Sequence, residues 1–161
     1  MKVLWVGDAV VASGFARCTH AACDALHAAG HEVHVVGINY YGDPHRWPYK
    51  IYPPINPQED GRDMFGVGRL PRLVQKINPD VLVLLNDTWN IAQYVDDLRA
   101  ALKQTPDTPM PVVVAWLAVD GVNVDSSELN DRCDAVITWT EFGRRELVAG
   151  GWKGATPGIV P

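Results

Sequence analysis

The sequence predicts an α/β fold: a Rossmann-like open parallel sheet with helices on both faces. Three observations carry that prediction. Short apolar runs alternate with stretches of helical periodicity along the chain. Runs such as DVLVLL (80–85) and VVVAWLAV (112–119) are apolar throughout, as strands buried on both faces must be. The first run, the helix after it and the second run fit within about 40 residues, the size of one βαβ unit with parallel strands and a right-handed crossover.

Taken in order, Lys2 to Gly7 (KVLWVG) reads as a buried strand ending in a glycine. The next helix carries Phe15, Cys18, Ala22, Leu26 and Ala29 at spacings of three and four, one apolar face. Ser13 is placed to cap its start, and Gly30 to end it in the left-handed conformation. His31 to Ile38 (HEVHVVGI) is the second strand. Residues 40–63 are crowded with prolines and tyrosines. They read as a functional loop or as a surface excursion anchored by aromatics, with a short edge strand at Lys50 to Tyr52 stopped by Pro53 and Pro54. A helix over Gly68 to Ile77 closes at Asn78-Pro79. Asp80 to Leu85 is a strand. A helix from Ile91 to Lys103 turns Ile91, Tyr94, Val95, Leu98 and Leu102 to one side. Val112 to Val119 is a further strand, followed by a short helix near Ser127 to Arg132 and a strand at Ala135 to Trp139. A helix from Glu141 to Ala149 ends at Gly150-Gly151, and Gly158 to Val160 opens one more strand.

The length, 161 residues, suits a single domain. Hydrophobic residues at 47% and charged residues at 20% supply a packed core and argue against global disorder. A net charge of −5 makes the chain a poor generic binder of phosphate backbones, so nucleic acid is not expected as a partner. No apolar run approaches the roughly 18 residues of a membrane span. The opening MKVLWVGDA reads as a first strand and not a signal peptide. Cys18, Cys23 and Cys133 form no CxxC pair, and the first two, five apart on a helix, point to different faces. Both facts suit a reduced, cytoplasmic setting. The histidines at 20, 27, 31, 34 and 45 lack metal-site spacing, and no HExxH, nucleophile elbow or Ser-His-Asp set is present. No metal or resident cofactor is expected.

In open parallel sheets ligands bind at the carboxyl ends of the strands, near the switch in strand order. The residues to read are therefore 8–14, 39–42, 86–90, 120–123 and 140–144. The first loop fits neither GxGxxG nor a Walker A sequence. It offers a helix start at Ser13-Gly14, with free N–H groups and room for close approach, suited to a phosphate or to a sugar hydroxyl; an ordinary capped turn is the alternative. Asn86, Asp87 and Trp89 follow the DVLVLL strand and form a sugar- or nucleoside-type contact set. The alternative is that Asp87 caps the next helix and Trp89 joins the core. Asp120, with Gly121 beside it, stands at the mouth of VVVAWLAV, where a carboxylate can orient or deprotonate a hydroxyl; a plain Asp-Gly turn is the alternative. Tyr40, in the aromatic loop, is a further candidate for ligand contact. Thr140 and Glu141 read as the cap and first turn of the last helix.

Taken together, KVLWVGD, SGFARCTHAACDALHAAGHEVHVVG, LLND-TW, AWLAVDG and DAVITWTEFGRRELVAGG with GIVP resemble, in that order, the N-terminal half of a GT-B glycosyltransferase of the family 4 type. The resemblance covers nearly the whole chain and rests on the ordered set, no single piece being specific. It implies an acceptor-side domain, residues 1–161, facing a cleft toward a second domain that grips the nucleotide-sugar donor. It implies sugar transfer to an acceptor hydroxyl with retention of anomeric configuration. By position, Ser13 and Gly14 would lie nearest the sugar phosphates and acceptor, Asp120 would take a catalytic strand-end position, and Asn86, Asp87 and Trp89 would line the acceptor side. The chain departs from the family in having one glycine in the first loop where many relatives have two. It also carries no donor-binding domain after GIVP, so little activity is expected of it alone. Two other readings stand beside this one: a stand-alone α/β module binding a sugar, nucleotide or protein, and a flavodoxin-like domain of unrelated function.

Overall fold

Strand β1 (Lys2–Asp8) is buried on both sides, because its neighbours are strands and both sheet faces carry packed structure. Leu4 and Val6 point into one core, and Val3 and Trp5 into another. A computed structural model of the chain describes residues 1–55 and 63–160. The seven strands among the described residues are all parallel and lie in the order β3-β2-β1-β4-β5-β6-β7. The others are β2 (Glu32–Ile38), β3 (Lys50–Tyr52), β4 (Val81–Leu85), β5 (Val112–Leu117), β6 (Ala135–Thr138) and β7 (Gly158–Ile159). The Rossmann-like α/β class read from the sequence is the class observed.

Among the described residues four α-helices flank the sheet: α1 (Gly14–Ala28), α2 (Leu70–Ile77), α3 (Thr88–Leu102) and α4 (Glu141–Ala149). Right-handed crossovers decide their sides. The step from β1 to β2 runs in the opposite direction to the steps β4–β5 and β6–β7. So α1 lies on one face with Cys23 among Trp5, Val35 and Trp116. Helices α2, α3 and α4 lie on the other, with Leu73, Leu98 and Leu147 among Leu4, Leu82 and Val136. On the α1 side, no helix among the described residues covers β5 to β7. Val114, Ile137 and Trp139 remain only partly buried there.

Several elements differ from expectation, each for a local reason. The buried stripe of α1 runs through Ala16, Thr19, His20 and Cys23, whereas Phe15 is 39% exposed. Polar groups on that stripe supply acceptors that the core needs: the Trp5 indole donates to Thr19 Oγ1 at 3.2 Å. Helix α2 begins at Leu70 and not Gly68, because the Asp63 carboxylate accepts the N–H groups of Gly66 (2.8 Å) and Gly68 (2.7 Å) and holds that stretch in a turn. Helix α3 begins at Thr88, three residues before Ile91, and buries all five residues assigned to its inner face. Strand β5 stops at Leu117, and the short helix is a single 3₁₀ turn, Ser127–Leu129. Of the irregular stretch 40–63, residues 56–62 lie outside the described residues. Among the described residues no helix is long and apolar enough to cross a membrane.

Candidate functional site

The strand order reverses at β1. The chain steps from β1 to β2 and β3, then returns to β4 on the other side. Diverging connections at such a point leave a crevice at the carboxyl ends. A cleft of about 290 Å³ lies there, at the ends of β1, β2 and β4. Its apolar wall is Phe15, Ile38, Met64, Phe65 and Leu85, and its polar groups are Asp8, Asn39, Asn86 and Asp87. The Tyr94 hydroxyl donates to the Phe65 carbonyl and pins the far wall to α3.

Asp8 lies in the 8–14 stretch expected at the site, although only Ser13 and Gly14 stood out there by sequence. Its Oδ2 accepts from the Ser13 hydroxyl at 2.7 Å and its Oδ1 from Asn39 Nδ2 at 3.1 Å. Ser13 caps α1 as expected, its Oγ accepting the Ala16 N–H at 3.0 Å. A Cβ built on Gly14 would meet nothing within 4 Å, so the space before the helix start is open. The loop between Asp8 and Ser13 is held from beneath. The Val10 N–H donates to His20 Nε2 at 3.1 Å, and Val10 takes φ +71°, a left-handed value that is costly for a β-branched residue. His20 Nδ1 pairs with the Tyr49 hydroxyl at 2.8 Å, and its ring stacks on Trp47. Burial, opposed by Asp24 and assisted by His45 and Arg46, lowers the His20 pKa to about 4. At neutral pH the ring is therefore uncharged, and Nε2 is free to accept.

Asn86 lines the cleft with its side-chain oxygen already engaged by the Asp87 N–H and Asn90 Nδ2, both at 2.9 Å. Asp87 stands at the N-cap position of α3, but its side chain makes no capping hydrogen bond and remains exposed. Trp89 is 56% exposed, so it is not a core residue. A second hollow of about 340 Å³ opens at the end of β5, lined by Asp87, Trp89, Asp120 and Gly121 among others. Asp120 is exposed, and its carboxylate has no hydrogen-bond or ion-pair partner among the described residues. The structure thus brings Asp8, Asn86 and Asp87 to one cleft, with Ser13 behind Asp8 as its hydrogen-bond donor, and Asp120, Gly121 and Trp89 to an adjoining hollow, with Asp87 common to both. Tyr40 is not among the residues at either. It is 5% exposed, packed in the α1-side core, and its hydroxyl donates to the Asp43 carbonyl at 2.9 Å. Thr140 caps α4 by accepting the Gly143 N–H at 3.0 Å, the structural role expected of it. Among the described residues no group of His, Cys, Asp and Glu is arranged to hold a metal ion.

No protein-family model matches the chain, and no curated protein matches it in sequence. Among solved structures, UDP-N-acetylglucosamine 2-epimerase from Rickettsia bellii is similar to it, with a TM-score of 0.57 and 16% sequence identity. The match covers 99% of this chain and 44% of that one, so the chain spans less than half the length of the protein it resembles. At that identity the likeness is one of fold. The chain carries a Rossmann-like α/β fold similar to part of that enzyme.

Proposed function

We propose that the chain is the acceptor-side domain of a glycosyltransferase that moves a sugar from a nucleotide sugar to an acceptor hydroxyl. The observation that carries this reading is the cleft at the β1–β4 switch point. There an aromatic and aliphatic wall faces carboxylates and amides, the chemistry that grips a sugar ring. The likeness to an enzyme named for UDP-N-acetylglucosamine supports it. So does a rim of exposed apolar side chains, Phe15, Tyr41, Met64, Phe65, Trp89 and Val122, which a second domain would cover. On this reading Ser13 and Gly14 lie nearest the donor sugar. Asn86, Asp87, Trp89 and Gly121 line the acceptor side, and Asp120 orients or deprotonates the acceptor hydroxyl. Tyr40 acts only by anchoring the loop after β2. On this reading the donor's main binding energy comes from a second domain, and residues 1–161 by themselves should have little activity.

The test has two arms. Titration of the chain with UDP-N-acetylglucosamine, other nucleotide sugars and free monosaccharides should shift the amide resonances of Gly14, Asn86, Asp87 and Gly121; silence at all of them under every ligand sinks the reading. In the chain joined to a donor-binding domain, Asp120→Asn should lower turnover by about a hundredfold with little change in affinity. Unchanged turnover removes Asp120 from the mechanism. Conversion of the nucleotide sugar to an isomer, with no acceptor consumed, replaces transfer by epimerisation.

A further inference from the structure

We propose that the cleft at the end of β1 selects an uncharged, hydroxyl-bearing sugar ring and turns phosphate away, with Asp8 as the residue that makes the distinction. The inference rests on the reading of this cleft as the ligand site and narrows what the helix start receives.

Hydrogen-bond capacity at Ser13 carries the argument. A serine hydroxyl has one proton and two lone pairs. The proton goes to Asp8 Oδ2 at 2.7 Å, and one lone pair takes the Ala16 N–H at 3.0 Å. Nothing remains with which Ser13 could donate to a phosphate oxygen, which only accepts. The Asp8 carboxylate is fixed from two elements, by Ser13 and by Asn39 Nδ2 at 3.1 Å, and stands beside the start of a 15-residue helix. The partial positive charge of that helix end, which would otherwise draw an anion, is met by the protein's own carboxylate. Asp87 places a second exposed carboxylate on the same cleft.

A phosphate entering here faces two negative charges. A hydroxyl finds acceptors instead: two donors leave Asp8 with lone pairs to spare, and the Asp87 side chain is uncommitted. Asn86, which lines the cleft with its oxygen engaged twice, has an amide nitrogen with no hydrogen-bond acceptor among the described residues. Phe15 and Phe65, 39% and 41% exposed, give the cleft apolar surface suited to the C–H side of a sugar.

The experiment is nuclear magnetic resonance titration of the 161-residue chain, following the amides of Asp8, Phe15, Asn39 and Asn86. The probes are glucose, N-acetylglucosamine, glucosamine, inorganic phosphate, UDP and UDP-N-acetylglucosamine. The expected result is saturable shifts with a neutral sugar and none at these amides with phosphate. In Asp8→Asn the sugar should bind about tenfold more weakly, and phosphate should begin to shift the Phe15 amide. Phosphate or UDP moving the cleft amides of the unaltered protein as strongly as a neutral sugar overturns the inference and leaves the proposed function standing. Binding of glucosamine alone also overturns it, since the carboxylates would then select a cation. Silence under every sugar and nucleotide sugar removes both. Should Asp8→Asn fail to fold, the unaltered protein decides by itself. Asn39→Ala, which keeps the charge, should still refuse phosphate.

Discussion

His20 is 8% exposed beneath the loop that joins β1 to α1, with its ring centroid 3.5 Å from that of Trp47. Its uncharged form accepts the Val10 N–H and so helps hold a backbone conformation that valine resists. Burial first, with His45 and Arg46 adding and Asp24 opposing, lowers its pKa from 6.5 to about 4. The unfolded chain therefore takes up the proton first as pH falls. The contribution to stability is complete above pH 6.5 and is lost between 6.5 and about 4. At about 1.4 kcal/mol per pKa unit, the loss is on the order of 3 kcal/mol. Urea denaturation across this range should show the decline, and His20→Gln should flatten it. An equal decline in the variant would assign the acid sensitivity to other groups. Neither the role of His20 nor that of Asp8 is legible in the sequence. Asp8 meets Asn39 across 31 positions and His20 meets Tyr49 across 29, and only folding brings such pairs together.

The elements were legible where a local rule decides them. Thr140 and Ser13 are recognisable caps, because a hydroxyl at a helix start has one obvious use, and both make the expected bond. The inner face of α3 was legible from its spacing. The inner face of α1 was not, because its stripe is chosen for acceptors as well as for apolar surface, and periodicity sees only the latter. The start of α2 was missed because a carboxylate at Asp63 claims the N–H groups of the residues before it. The two caps make a controlled comparison. Thr140→Ala should cost about 1 kcal/mol. Ser13→Ala removes a cap and also one of the two donors fixing a carboxylate, and should cost about 2 kcal/mol or more. Equal losses by chemical denaturation would mean that the Ser13–Asp8 bond contributes nothing to stability.

For the whole molecule, topology sets where stability is concentrated. Strands β1, β4 and β5 are interior and flanked on both sides, whereas β3 and β7 are edges of three and two residues. Native-state hydrogen exchange should be slowest in β1, β4 and β5 and fastest in β7, as opening there breaks the fewest contacts. Protection of β7 equal to that of β1 would show that the sheet opens as one unit. The parallel order of this sheet was legible from the apolar strands and the helical stretches between them. The partial cover of β5 to β7 on the α1 side was not, since it depends on which way each crossover turns. On that side Trp5 and Trp116 meet edge to face, ring centroids 5.4 Å apart and planes at 69°. Two indole chromophores so close and so steeply inclined share their excited states. Their circular dichroism should therefore show a paired band of opposite signs, an optical signature of side-chain packing from β1 to β5 across β4 that should vanish when that packing is lost, whatever the helices do.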